Sequence, residues 1–327
     1  MRAVWLREFG GPERLLAAET PDPSAGPGQV VVAVEFANVT FVETQLRAGT
    51  GPFPVRLPTI PGNGVGGVVA EVGPEVDPAL RGRRVVTSTG GAGGYADRVA
   101  VDADGLVAVP DELPMESAVA LLADGRTALL LLETAGVHPG ERILVEAAAG
   151  GVGSLLVQLA GAAGATVVAV AGGDRKVALA RDLGADLAVD YSTADWPARV
   201  RAGVGGIDVV FDGVGGTVGR SAFDLLDRGG RMVSFGLSSG SWTQVPDEVA
   251  RERGVTVVRS LTRSPEQLRE LTRRALAEAA AGRLRPVIGQ RFPLDRAADA
   301  HAAIQSRRTV GKTLLDAGRP TGTRPDR

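Results

Sequence analysis

The chain has 327 residues, a formal net charge of −2, 45 glycines and no cysteine. At roughly 100–200 residues per domain this length points to two domains, and the missing cysteines exclude disulfides and thiolate metal sites. The charge gives no electrostatic case for nucleic acid, and no apolar run approaches the ~20 residues of a membrane helix.

The opening, Met-Arg-Ala-Val-Trp-Leu-Arg-Glu, lacks the apolar stretch of a secretory leader, so the expectation is a cytoplasmic protein. The first third then alternates β-branched runs with turns. Residues 30–34, 66–72, 84–87 and 95–101 read as short strands between Gly- and Pro-rich breaks, the pattern of an irregular antiparallel barrel. The character changes near Met115. Strands are expected at 143–147, 166–171, 188–191, 209–212, 232–235 and 255–258, with helices at 154–163 and 176–183. Near-continuous apolar strands spaced by helices make a parallel sheet covered on both faces. Six of them match a doubly wound, dinucleotide-binding α/β sheet. Helices at 265–281 and 294–306 and a strand at 313–315 follow. That segment is too short for a domain of its own and is expected to return to the first. The organisation is therefore residues 1–120 with 262–316, a dinucleotide-binding domain at 121–261, and a polar Gly/Pro/Arg tail at 317–327 that is expected to be flexible.

The sharpest motif lies at 145–153, Val-Glu-Ala-Ala-Ala-Gly-Gly-Val-Gly, with the spacing Ala147-x-x-Gly150-x-x-Gly153. Glycines in such a turn let the backbone pass close to a pyrophosphate, and the following helix offers free N–H groups and the positive end of its dipole. A glycine pattern alone is a weak signal, but this one sits between a predicted strand and a predicted helix. A cofactor with a free ribose 2′-hydroxyl meets an acidic residue about 20 residues after the first glycine. Here the second strand ends in Ala171-Gly172-Gly173, followed by Asp174, Arg175 and Lys176. A missing carboxylate followed by two cations suits a 2′-phosphate, which favours NADPH over NADH. Asp174 is expected to cap the next helix; because it also has the reach to contact a ribose, NADH stays open. Two further turns, 211–216 and 234–240, fall at the carboxyl ends of parallel strands, where ligands bind in open α/β sheets.

To these are added Gly-Gly-Pro-Glu at 10–13, Leu-Pro-Thr-Ile-Pro-Gly-Asn at 57–63, Gly-Gly-Tyr-Ala-Asp-Arg-Val at 93–99 and Ser-Arg-Arg-Thr-Val-Gly-Lys at 306–312. Together the motifs make the chain resemble the zinc-independent quinone oxidoreductase branch of the medium-chain dehydrogenase/reductase superfamily, from residue 1 to about 316. The resemblance implies a GroES-like barrel, a Rossmann domain and a C-terminal return to the barrel, with NADPH held in the cleft between domains. By position it implies that Gly150, Gly151 and Val152 meet the pyrophosphate. Gly173, Lys176 and Tyr191 would surround the 2′-phosphate, with Arg175 as a further candidate. Thr127 would approach the nicotinamide, Phe235, Leu237 and Ser238 would line its pocket, and Arg307 would reach the phosphates. The zinc positions of metal-dependent relatives fall on Thr40, Asn63 and Ala123, poor zinc ligands all, so no metal is expected. The chain also departs from the family. Thr40 and Glu43 replace the Asn and Asp of a common Val-Asn-x-x-Asp pattern, Gln45 replaces a common Tyr, and Gly64 replaces the usual Glu. These positions bear on the substrate.

The chemistry implied is hydride transfer to a quinone carbonyl or to the β-carbon of an enone. Neither His138, in a turn, nor His301, read as a structural helix residue, is expected to be the proton donor. Tyr95 reads as packing, and solvent is left to protonate the product. Thr40 and Asn63 are the candidate catalytic residues, donating hydrogen bonds to the acceptor oxygen; ordinary loop capping is the alternative for both. The expected activity is NADPH-dependent quinone reduction. The alternatives are reduction of α,β-unsaturated carbonyls, and a NADPH-binding protein of low turnover. The apolar strand at 255–258 should lie at the sheet edge, where it invites pairing, and family members dimerise there, so a homodimer is expected.

Overall fold

In chain order the elements are β1 (Arg2–Leu6), β2 (Leu15–Glu19), β3 (Gln29–Val39), α1 (Phe41–Ala48), β4 (Gly64–Val72), β5 (Arg84–Ser88), β6 (Arg98–Asp102), β7 (Val107–Ala108) and α2 (Met115–Ala135). Then come β8 (Arg142–Glu146), α3 (Gly151–Ala162), β9 (Thr166–Ala171), α4 (Asp174–Asp182), β10 (Leu187–Asp190), α5 (Trp196–Val204) and β11 (Ile207–Asp212). The last are α6 (Gly216–Leu225), β12 (Leu226–Ser234), α7 (Asp247–Arg253), β13 (Thr256–Val258), α8 (Pro265–Ala280), β14 (Ile288–Pro293), α9 (Ala297–Gln305) and β15 (Lys312–Asp316). The structure, a computed structural model, describes residues 1–318. The tail expected at 317–327 therefore lies, from residue 319 on, outside the described residues. Two units form among the described residues: Met1–Ala123 with residues 272–318, and Asp124–Leu271. The chain passes between them within α2 and within α8.

The first unit is a mostly antiparallel sheet in the order β14-β15-β3-β4-β5-β7, with β6 also paired to β3. Strand β3 carries the unit. It pairs with β4, β6 and β15, and register shifts at Val31/Val32 and Val34/Phe36 bend it. Gly67 lets β4 come close: a β-carbon there would stand 1.9 Å from the Ala33 carbonyl oxygen. The strand expected at 95–101 begins only at Arg98. Ahead of it the chain is held by an N–H of Tyr95 donated to Pro61 and by an isolated bridge from Ala96 to Ala3. The expected helix at 294–306 opens with a turn of 3-10 helix at Leu294–Arg296 before α9.

The second unit is a parallel sheet in the order β10-β9-β8-β11-β12-β13 with helices between the strands. Its strands are apolar because both faces are covered: Ile143, Leu144, Val167, Val168, Val210 and Phe211 are all completely buried. At about 1.5–3 kcal/mol for each large side chain removed from water, these residues hold the sheet together. The order reverses between β8 and β11, so the carboxyl ends of β8, β9, β11 and β12 surround the switch point where such sheets bind ligands. Strand β13, three residues long, ends the sheet. No described helix is long and apolar enough to cross a membrane.

Candidate active site

The turn after β8 forms as the motif requires. Gly150 precedes α3 in an extended conformation with no side-chain cap, and among the described residues no acceptor meets the N–H groups of Gly151, Val152 or Gly153. Gly151 and Val152 are half-buried and Gly153 is buried, and free donors at the head of a three-turn helix suit an anion. The turn itself is tight. Ala147 has φ +47°, its carbonyl accepts the N–H of Gly150 at 2.8 Å, and a β-carbon on Gly153 would stand 2.3 Å from the same oxygen.

At the end of β9, Gly173 has φ +86° and an open space where its β-carbon would be. Asp174, expected to cap α4, is instead its first residue. Gly173 takes the cap position in a conformation that glycine favours, and no side chain caps the helix. Arg175 is exposed and Lys176 half-buried on the first turn. The Tyr191 ring lies 3.3 Å from the β-carbon position of Gly172, and its N–H is donated to Ala171. The structure thus gathers Gly173, Lys176 and Tyr191 at neighbouring strand ends. Phe235, Leu237 and Ser238 follow β12 and are half-buried. Thr127 lies in the second-unit part of α2, also half-buried.

Thr40, Asn63 and Arg307 belong to the first unit. The buried Glu43 ties the first two together. One of its oxygens accepts the Thr40 N–H at 2.6 Å and the Thr40 hydroxyl at 3.0 Å, while the other accepts the Asn63 N–H at 2.9 Å. Thr40 is the N-cap of α1, its hydroxyl accepting from the Glu43 N–H. The capping reading therefore holds for Thr40: its O–H is engaged with Glu43 and is not available to an acceptor while that bond persists. Asn63 differs. Its side-chain oxygen accepts from Ser88 at 2.8 Å, which turns its amide nitrogen outward with no partner among the described residues. Arg307, at φ +59°, stacks its guanidinium over Phe41 at 4.3 Å.

Behind this loop lies a buried polar group that sequence reasoning missed. The Tyr95 hydroxyl meets His301 Nε2 at 3.0 Å and faces the Glu43 carboxylate. Burial first, then Glu43, pushes the tyrosine hydroxyl well up, and burial pushes the Glu43 carboxyl up as well. Burial and the nearby Arg47 guanidinium push His301 down to about 3. His301 is thus held neutral in the fold and protonates readily only when unfolded. As pH falls from about 6.5 to about 3, native stability drops by about 1.4 kcal/mol per pH unit. Between pH 6.5 and 4.5 the wild type is therefore expected to lose about 2–3 kcal/mol more than His301→Gln. Denaturant unfolding at both pH values checks this; equal losses would show that His301 is not the acid-sensitive group.

A second missed group is Glu146 with Asp212, both completely buried at the ends of β8 and β11. The available signal was a charged residue closing the otherwise apolar run Ile-Leu-Val. Among the described residues no group of three His, Cys, Asp or Glu side chains is placed to hold a metal ion.

The sequence and fold match known proteins over nearly the whole chain. Residues 26–111 match the family described as alcohol dehydrogenase GroES-like domain, and residues 151–277 match the family described as zinc-binding dehydrogenase. A quinone oxidoreductase of Pseudomonas aeruginosa is 34% identical over 96% of this chain and 99% of its own length. A 2-haloacrylate reductase of a Burkholderia species is 32% identical over 96% and 98%. The solved structure of Escherichia coli quinone oxidoreductase complexed with NADPH superposes with a TM-score of 0.90, 31% identity, and coverage of 97% of this chain and all of that one. The chain belongs to the quinone oxidoreductase branch of the medium-chain dehydrogenase/reductase superfamily, with a GroES-like domain and a Rossmann-type parallel sheet.

Proposed function

We propose that the protein is a NADPH-dependent reductase that passes hydride to a quinone without a metal. The observation that carries this reading is the set of strand ends in the second unit. Unpaired N–H groups on Gly151, Val152 and Gly153 follow the first strand, and the second strand runs into Gly172-Gly173 with no acid at its end, Asp174 opening the next helix ahead of Arg175 and Lys176. NADPH bound there supplies the hydride. The N–H groups of α3 bind the pyrophosphate. Lys176 and Arg175 neutralise the 2′-phosphate over the open Gly173, and the Tyr191 ring closes that side. Phe235 and Leu237 exclude water from the nicotinamide, and Thr127 and Ser238 orient it. The outward amide of Asn63 is assigned to the acceptor oxygen, with Glu43 and Thr40 holding its loop. Thr40, Asn63 and Ala123, at the zinc positions of metal-dependent relatives, form a donor set unsuited to zinc.

A second reading, reduction of an alkene conjugated to a carbonyl, is favoured by the 2-haloacrylate reductase among the relatives. A panel of quinones and enones with NADPH separates the two. Faster NADPH oxidation with quinones supports the first reading, and faster oxidation with enones replaces it by the second. Tight NADPH binding with no acceptor reduced would leave a binding protein and overturn both.

A further inference from the structure

We propose that Glu146 and Asp212 share one proton, and that this proton holds the turn after β11 and the segment after β12 in the shape the nicotinamide side of the site requires. The positional half of this inference rests on the cofactor reading above; the shared proton rests on the burial of the two carboxyl groups and on the donors that reach them.

Both side chains are completely buried. Three donors reach their four oxygens. The Val214 N–H meets Glu146 Oε2 at 2.9 Å, the Gly215 N–H meets Asp212 Oδ1 at 2.8 Å, and the Ser234 hydroxyl meets Asp212 Oδ2 at 2.8 Å. The fourth oxygen, Glu146 Oε1, meets no donor. Of the charged groups, Asp212 acts most strongly on Glu146 and lies within hydrogen-bonding reach of it. A buried carboxylate in contact with a second one is disfavoured in its charged form. A proton on Glu146 Oε1, donated to Asp212, removes one charge and satisfies the orphaned atom in a single step.

The pair sits where the cofactor turns are joined. Glu146 directly precedes Ala147 and the glycine turn. The two N–H groups it and Asp212 accept belong to the turn after β11, and that turn carries the candidate nicotinamide segment on its own backbone. The Asp212 carbonyl accepts the Phe235 N–H at 2.9 Å, the Gly213 carbonyl accepts the Ser238 N–H at 3.3 Å, and the Val214 carbonyl accepts the Ser239 N–H at 2.8 Å. The Phe235 ring also fills the space of the missing Gly213 β-carbon, 2.8 Å from its position. Loss of the shared proton leaves two negative charges in a dry site, and their repulsion is transmitted along these bonds to Phe235, Leu237 and Ser238. Glu146 is thus a positioning residue; it touches neither cofactor nor acceptor.

The test uses the full chain, wild type and Glu146→Gln. The glutamine amide reproduces the protonated acid, donating to Asp212 while its oxygen still accepts from Val214. In the ¹⁵N-labelled wild type, the Val214 and Gly215 amide resonances are expected to titrate together at a pH above the ordinary carboxylate range. In Glu146→Gln they are expected to stay fixed. Over that transition the wild-type affinity for NADPH is expected to fall by about tenfold, as for a coupling of one pH unit, and that of Glu146→Gln to stay constant. Amide titration that persists in Glu146→Gln, or a wild type in which the two resonances never titrate, overturns the shared proton. A titrating pair with constant NADPH affinity overturns the positioning role. If the wild type binds no NADPH, the cofactor reading fails with the positioning role, while the amide titration still decides the proton.

Discussion

Gly153→Val is expected to weaken NADPH binding by at least about 100-fold, which is about 2.7 kcal/mol. A β-carbon at this position would stand 2.3 Å from the Ala147 carbonyl oxygen and 2.9 Å from both the Ala147 carbonyl carbon and Ala148 Cα. These are backbone atoms, so no rotamer relieves the clash, and Ala147 is already left-handed at φ +47°. Overpacking of this kind typically costs about 1–3 kcal/mol in stability. Here the cost falls on the contact between the turn and the first residues of α3, where the pyrophosphate is assigned. Gly161→Ala, in the same helix, is the control. Nothing lies within 4 Å of its β-carbon position and its backbone is unstrained, so binding should not change. Fluorescence titration with NADPH compares the two, with thermal melts to confirm folding. Equal affinities would place the pyrophosphate elsewhere.

The second large effect is on cofactor choice. Lys176→Ala is expected to raise the apparent KM for NADPH about 10- to 100-fold and to leave that for NADH unchanged, because a charge-assisted bond to phosphate contributes about 1.5–3 kcal/mol. Lys176 is half-buried on the first turn of α4, whereas Arg175 is exposed, so the lysine is expected to carry the larger share. A loss that is equal for the two nucleotides would mean that Lys176 supports the fold and does not read the phosphate.

The second unit was legible in the sequence because its signals are local. Apolar runs such as Ile-Leu-Val and Val-Val-Ala-Val, bounded by glycines, specify buried strands whatever lies around them, and all six expected strands are present. The glycine turn was legible for the same reason, since Gly150 and Gly153 are needed by the backbone itself. Asp174 misled because the capping preference of an acid was weighed against a solvent-exposed helix start, while Gly173, free to adopt φ +86°, starts the helix one residue earlier. Thr40 and Asn63 were recognisable as a pair, but their difference was not. It lies in what each side chain meets: the Thr40 hydroxyl is taken up by Glu43 within the first turn of α1, whereas the Asn63 side-chain oxygen is held by Ser88, 25 residues along the chain. Glu146 and Asp212 are 66 residues apart and were invisible as a pair for the same reason, although a lone acid closing an apolar strand marked one of them. His301 was read as structural; its bond to Tyr95, 206 residues away, was not foreseeable from a helix pattern.

The most direct measurement of the central claim is nucleotide oxidation by the chelator-treated protein with a quinone as acceptor, NADPH and NADH compared side by side. The account expects NADPH to be consumed at a rate that chelation does not lower, with kcat/KM for NADH lower by about tenfold or more. Activity that disappears with the metal and returns with zinc, or a preference for NADH, would contradict it.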